Sequence, residues 1–110
     1  MEIATEHANG AIILIPSGRI DGQNALDFQA SINESVGDAN QPVILELSQL
    51  SYISSAGLRV ILLLAKTLSS KSVHFSICSI APGVKEVFEI SGFGNIIDIK
   101  DSRQDALDAI

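Results

Sequence analysis

Apolar residues along this chain alternate between strand-like runs and helical spacings, which predicts an α/β fold. Residues 2–7 form a weak first strand, and residues 11–17, AIILIPS, form a stronger one. The dipeptide Asn9-Gly10 between them favours a tight type I′ turn. The two strands are therefore predicted to pair as an antiparallel N-terminal β-hairpin.

The rest of the chain supplies the alternating elements of a layered domain. A helix is predicted over residues 24–36, with Gly37 placed to end it. Residues 42–47, PVILEL, are almost continuously apolar, which is typical of a central strand covered by helices. Later elements are a strand at 73–80, a helix at Pro82–Ile90, a short strand at 95–99 and an N-capped helix from Ser102. This order indicates a mixed β-sheet with a parallel centre and about four helices packed on it.

The helix predicted at residues 56–68 has more apolar surface than one core contact requires. Its core-facing stripe is predicted to contain Leu58, Ile61, Leu62, Ala65 and Leu68. Roughly opposite this stripe lie Val60, Leu63 and Thr67, with Leu64 flanking them. Either a second layer of the fold covers this extra face, or another protein docks on it.

Composition restricts the class of protein. With 110 residues, 46% of them hydrophobic, the chain fits one domain over residues 1–110 with one substantial core. Lone Cys78 suits a reducing compartment, and without a signal-peptide pattern or an apolar run of spanning length we expect a cytoplasmic protein. The net charge of −6 argues against direct binding to nucleic acid or to an anionic membrane.

Catalytic and metal-binding patterns are missing from the sequence. The segment SSAG lacks the G-x-S-x-G pattern of a hydrolase, and neither His7 nor His74 has the context of a catalytic triad. One cysteine and two distant histidines do not have the spacing of metal ligands. We therefore expect no serine hydrolase activity, no metal and no cofactor.

Two serines, Ser54 and Ser55, directly precede the second predicted helix (residues 56–68), which begins with the small residues Ala56 and Gly57. The simplest interpretation is that one hydroxyl caps a free helical amide. Capping explains one serine, but not a pair followed by residues that leave the helix start accessible. Free amides and the helix macrodipole would tolerate a phosphate on Ser55, and its charge would repel a protein docked on the extra apolar face.

Three segments resemble the STAS domain of bacterial anti-sigma factor antagonists: GRIDGQNALDF, LELSQLSYISSAGLRVILLLAKTL and SICSIAPGVKEVFEISGF. The resemblance covers essentially the whole chain and implies a STAS-like single domain that is not an enzyme. It also implies a partner switch, in which the unmodified domain binds an anti-sigma factor that is also a serine kinase. Phosphorylation of the junction serine ends this binding, and a PP2C-type serine phosphatase restores it.

The same resemblance assigns roles to individual residues. The match on SAGL places the phosphorylated serine at Ser55, while Ser54, where aspartate is common in the family, is a second candidate. Glu46 corresponds to the acidic residue usual in the strand before the junction, and the loop with Asp21 and Gly22 is expected to approach the same end of the sheet. We expect partner contacts in this loop and along the start and outer face of the second helix, at Asp21, Gly22, Ser54, Ala56, Gly57, Arg59, Val60 and Leu63.

Glycine early in a helix is costly and usually marks a close backbone approach. We therefore expect Gly57→Val to impair the encounter with the kinase more than folding.

A second class of function uses the same fold. The domain would then be a ligand-sensing or scaffold module that binds a nucleotide or lipid, or that packs into another signalling assembly. This alternative predicts a pocket that holds a co-purifying ligand, and indifference to serine substitution.

Overall fold

The computed structural model describes residues 3–38, 40–92 and 97–110, which form a layered α/β domain. Its strands are β1 (Ile3–Ala8), β2 (Ala11–Pro16), β3 (Gly18–Ile20), β4 (Val43–Glu46), β5 (Leu50–Ile53), β6 (Phe75–Cys78) and β7 (Asp98–Lys100). Its helices are α1 (Ala25–Val36), α2 (Ser55–Ser70), α3 (Pro82–Ile90) and α4 (Arg103–Asp108). The four helices and the α/β class confirm the sequence prediction.

The main sheet has five strands in the order β1-β2-β4-β6-β7. β1 and β2 are antiparallel, whereas β2, β4, β6 and β7 pair in parallel. Asn9 and Gly10 adopt positive φ angles of 52° and 80°, so the predicted hairpin turn is confirmed. Of the predicted last strand, residues 95 and 96 lie outside the described residues, and the strand that the structure describes is Asp98–Lys100.

A second, two-stranded sheet of β3 and β5 was not predicted from the sequence. The chain therefore does not pass directly from β4 into α2, because β5 lies between them. These two strands are only three and four residues long, and half or more of their positions are exposed. Such short, partly polar segments carry too little hydrophobic periodicity to identify a strand.

The two faces of the main sheet are covered unequally. One face packs under α1, α2 and α3 in the large core, whose fully buried members include Phe28, Ile61 and Phe88. The other face has a small cluster that includes Ile13, Ile44 and Cys78, packed against Ala106 of α4. Burial of each large side chain contributes about 1.5–3 kcal/mol, so most of the hydrophobic stabilisation lies on the first face.

Helix α2 buries a wider arc than its predicted core stripe. Leu58, Ile61 and Leu68 are buried as predicted, and Leu62 and Ala65 are partly buried against the same core. However, Val60 and Leu64 are also buried, with 6% and 7% exposure, because α1 packs along that side of α2. The prediction that Val60 lies on an exposed docking face is therefore wrong, and the extra apolar face is partly explained by a second layer of the fold.

Candidate functional site

At the junction between β5 and α2, the two serines have different roles. Ser54 is the N-cap residue, with an extended backbone (φ −89°, ψ 173°), and its hydroxyl accepts a hydrogen bond from the amide of Gly57 at 3.4 Å. Ser55 is the first residue of α2, and its side chain is exposed. The capping role predicted for one serine therefore belongs to Ser54, which leaves the hydroxyl of Ser55 accessible at the amide-rich end of a 16-residue helix.

The loop that contains Asp21 lies beside this junction. β3 and β5 pair in parallel, with Ile20 opposite Ile53, and the amide of Ser54 donates to the carbonyl oxygen of Ile20 at 2.8 Å. Asp21 follows Ile20 directly, so this hydrogen bond places the Asp21 loop next to the start of α2. Gly22 is exposed in the same loop.

Hydrogen bonds within the loop fix its shape. The Asp21 carboxylate accepts from the amides of Gln23 at 2.9 Å and Asn24 at 3.3 Å. In return, the Asn24 side-chain oxygen accepts from the Asp21 amide at 2.8 Å, and its side-chain nitrogen donates to the Arg19 carbonyl oxygen at 2.8 Å. The loop therefore enters α1 in a closed turn, with Asp21 held at the surface by its own neighbours.

Gly57 serves the packing of α2 onto the sheet. A Cβ atom at this position would lie 2.6 Å from Ile20 Cγ2 and 2.7 Å from Ile53 Cγ1, which is too close for any side chain. Gly57 is buried. The close backbone approach that a glycine indicates here is between α2 and the side chains of Ile20 and Ile53 in this domain's own core, and not between α2 and a partner. The structure thus contradicts the expectation that Gly57→Val affects a partner more than folding.

The outer face of α2 combines an exposed cation with exposed apolar surface. Arg59 is exposed one turn after Ser55, and the Leu63 side chain, one turn further, is 44% exposed. Ala56 is half-buried at the start of the helix. Leu63 lines a groove of about 210 Å³ between α1 and α2, and Leu26 of α1 is 79% exposed. These residues form a surface on which another protein can bury apolar area.

The structure adds two residues to this region that sequence reasoning missed. Leu26 lies outside the helical spacing of the buried α1 residues Ala25, Phe28, Ile32 and Val36, and this spacing was the signal that it faces outward. Arg19 of β3 stacks on the ring of Tyr52 of β5, with 4.3 Å between the guanidinium carbon and the ring centroid. No sequence pattern indicated this contact, because it depends on the unpredicted pairing of β3 with β5.

Glu46 lies at the end of β4 and takes part in a different network. The strand directly before the junction is β5, so Glu46 lies one strand earlier than the sequence indicated. Its carboxylate accepts from Arg103 Nε at 2.6 Å and from the Ser48 hydroxyl at 3.0 Å, and Arg103 also pairs with Glu6 at 3.0 Å. Hydrogen bonding from Arg103 holds the pKa of Glu46 below its usual value, against the effect of burial. This network fastens α4 to the sheet.

Within residues 3–38, 40–92 and 97–110, no group of three His, Cys, Asp or Glu side chains could hold a metal ion. The helices of this part of the chain include none with the length and apolar character needed to cross a membrane. What the junction offers chemically is an exposed hydroxyl, a helix N-terminus and an adjacent apolar surface.

Known proteins are similar to this chain in sequence and in fold. A family model described as the STAS domain matches residues 2–106. BtrV of Bordetella bronchiseptica, which is named as an anti-sigma factor antagonist, is 39% identical over 106 residues, covering 96% of this chain and 91% of that protein. An anti-sigma F factor antagonist of Paenibacillus polymyxa is 28% identical over 97% of this chain and 92% of its own length.

Solved structures agree at the level of the fold. A crystal structure from Thermotoga maritima, described as an anti-sigma factor antagonist, superposes with a TM-score of 0.90 at 24% identity, over 98% of this chain and 93% of the other. The phosphorylated form of SpoIIAA, a Bacillus cell fate determinant, superposes with a TM-score of 0.70 at 19% identity, over 98% of each chain.

Proposed function

This chain belongs to the STAS domain family, among the anti-sigma factor antagonists, and we propose that it works as a phosphorylation-gated partner switch. In the unmodified state it binds an anti-sigma factor that is also a serine kinase. Phosphorylation of Ser55 ends this binding, and a PP2C-type serine phosphatase restores it. The role is regulatory rather than catalytic, and it places the domain in the cytoplasm, where sigma factors act.

This proposal rests on one observation: the two junction serines have different environments. The Ser54 hydroxyl is engaged as the helix cap, whereas the Ser55 hydroxyl is exposed at the first position of α2. A kinase needs a hydroxyl that it can reach without unfolding its substrate. Ser55 meets this requirement better than Ser54, so we assign the modification to Ser55.

The transfer itself needs only a nucleoside triphosphate, which the kinase binds. The Ser55 oxygen forms a bond to the γ-phosphorus, the bond from that phosphorus to the bridging oxygen breaks, and a nucleoside diphosphate leaves. The hydroxyl proton passes to a base of the kinase. Hydrolysis by the phosphatase then returns the serine and inorganic phosphate.

Electrostatics explains how the phosphate would act as a switch without unfolding the domain. Phosphate adds about −1.5 to −2 charges, and the N-terminus of α2 favours negative charge. The domain therefore tolerates the modification. A partner that covers Ser55 while burying Leu63 and Leu26 would have to desolvate this dianion, and that cost weakens the complex.

The partner surface proposed here consists of the Asp21–Gly22 loop and the exposed start of α2, at Ser54, Ser55, Ala56, Arg59 and Leu63. Leu26 extends it onto α1. The hydrogen bond between Ser54 and Ile20 keeps the loop and the helix start in one rigid surface. Gly57 and Val60 support this surface from inside and do not contribute exposed side chains to it.

The test combines phosphopeptide mapping with binding titrations. The protein purified from its own cells should carry phosphate on Ser55, and the kinase responsible should bind Ser55→Ala as tightly as the unmodified protein. Ser55→Asp should bind it more weakly, while Ser69→Asp, which adds the same charge at an exposed position near the other end of α2, serves as the matched control and should keep its affinity. Equal affinity of the kinase for Ser55→Ala and Ser55→Asp would reject the proposal.

A further inference from the structure

Among the residues that the structure describes, Arg59 is a cation without an acidic partner. The ion pairs of the described residues engage Lys85, Lys100 and Arg103, each with a carboxylate within 4.0 Å. Arg59 is exposed on α2, and no carboxylate in the described part of the chain forms an ion pair with it. Arg19, Lys66 and Lys71 also form no ion pair among the described residues, and what distinguishes Arg59 is its position one helical turn from the proposed modification site.

Helix geometry places Arg59 within reach of Ser55. The two residues are four positions apart on α2, so their Cβ atoms lie about 5–6 Å apart on the same side of the helix. Both side chains are exposed, which means that neither must leave the core to meet the other. An anion four residues before a cation is also the favourable order for such a pair on a helix.

We propose that Arg59 is the intramolecular receptor for phosphate on Ser55. The planar guanidinium matches the phosphate oxygens and can donate two parallel hydrogen bonds to them. This inference rests on the proposed function, because it assumes that Ser55 is the modified residue.

The pair gives phosphorylation a second effect on the binding surface. Unmodified, the domain presents Arg59 between Ser55 and Leu63, where it is free to pair with an acidic group of the kinase. Phosphorylated, the same arginine is engaged by the phosphate and is withdrawn from that group. The modification therefore adds negative charge and removes the nearest available positive charge in one step.

Other charged groups near the junction are already engaged. The Asp21 carboxylate accepts from two amides of its own loop, and Arg19 is stacked on Tyr52. Lys66 is exposed on α2 as well, but it lies eleven residues after Ser55, which is about 16 Å along the helix axis. Lys66 is therefore a matched control, because it has the same charge on the same helix but cannot reach the phosphate.

The pairing can be measured without any partner protein. Phosphoserine is incorporated at position 55 during translation, and the phosphate is titrated by ³¹P NMR in the wild-type background, in Arg59→Gln and in Lys66→Gln. Because Arg59 favours the dianion, we expect Arg59→Gln to raise the second pKa of the phosphate by about 0.2–0.4 unit. Lys66→Gln should leave it at the wild-type value, and 0.5 M NaCl should reduce the Arg59 effect.

Equal phosphate pKa values in the wild-type and Arg59→Gln backgrounds would overturn the inference, even if phosphorylation releases the kinase. Conversely, a Ser55 that is never phosphorylated in cells would overturn the proposed function while leaving the measured pair intact. The two outcomes are therefore distinguishable.

Discussion

The amide of Ser54 donates a 2.8 Å hydrogen bond to the carbonyl oxygen of Ile20, and this contact extends the pairing of β3 with β5 up to the first residue before α2. Two segments more than 30 residues apart in the chain thereby form one surface. Because the small sheet fixes both the loop after β3 and the start of α2, the exposed hydroxyl of Ser55 has a defined position relative to Asp21. A partner can therefore bind both segments without first ordering them.

Gly57 should be needed for folding, and Gly22 should not. In Gly57→Ala, the new Cβ would lie 2.6 Å from Ile20 and 2.7 Å from Ile53, so either α2 or these side chains must shift. We expect a loss of about 1–3 kcal/mol in the free energy of unfolding, measured by urea denaturation. Gly22→Ala is the matched control, because its Cβ would meet no atom within 4 Å. Equal stability of the two variants would contradict the role assigned to Gly57.

An aspartate should have opposite effects at Leu63 and at Val60. At Leu63 it should weaken partner binding, and at Val60 it should destabilise the fold. Leu63→Asp changes a side chain that is 44% exposed, so the thermal midpoint should fall little while binding to the anti-sigma factor kinase is lost. Val60→Asp places a carboxylate at a position with 6% exposure and should unfold the domain or lower its midpoint strongly. Circular dichroism melts and a binding titration separate these effects. If Leu63→Asp unfolds the domain instead, Leu63 belongs to the core and not to the partner surface.

Ser54 and Ser55 should contribute differently to stability. Ser54→Ala removes the side chain that caps the N-terminus of α2, and we expect the free energy of unfolding to fall by about 0.5–1 kcal/mol, since the hydrogen bond of 3.4 Å is long. Ser55→Ala should change it by less than about 0.5 kcal/mol, because that side chain is exposed. Urea unfolding of both variants checks the difference. A larger loss for Ser55→Ala would mean that Ser55, and not Ser54, holds the helix start.

The sequence predicted elements that have a local signal and failed on those that form only through pairing with a distant segment. The hairpin turn, α1, α3 and α4 could be predicted because Asn9-Gly10, Gly37, Pro82 and Ser102 are local signals that need no tertiary contact. β3 and β5 could not be predicted, since their stability comes from pairing with each other.

The candidate site shows the same division between local and tertiary information. The exposure of Ser55 was expected from the small residues that follow it in the chain, whereas the burial of Val60 depends on where α1 packs. Helical spacing placed Val60 roughly opposite the core stripe, but it could not show that a second helix covers that side. The same limit applies to Arg19 and Tyr52, whose contact joins two strands.

The short helix α4 depends on charge to stay on the sheet. Its buried residue is the small Ala106, whereas Arg103 bridges Glu46 of β4 and Glu6 of β1. The Glu46 side chain is only 13% exposed, so solvent screens this ion pair weakly. The hydrogen bond from Arg103 lowers the pKa of Glu46 and raises that of Arg103.

Stability should therefore depend on pH through Glu46. A carboxyl group whose pKa is lower in the folded than in the unfolded state stabilises the fold above its unfolded pKa of about 4.3, and this contribution is lost as pH falls through the lowered folded value. At pH 7 we expect Glu46→Gln to be less stable than wild type by about 1–2 kcal/mol in urea unfolding, and the difference should shrink as the pH falls below about 4. Glu86→Gln is the control at pH 7, because Glu86 is exposed on α3 and has no ion pair within the described residues, so it should unfold at the wild-type urea concentration. A difference between Glu46→Gln and wild type that stays constant down to pH 2 would show that the charge of Glu46 does not hold α4 in place.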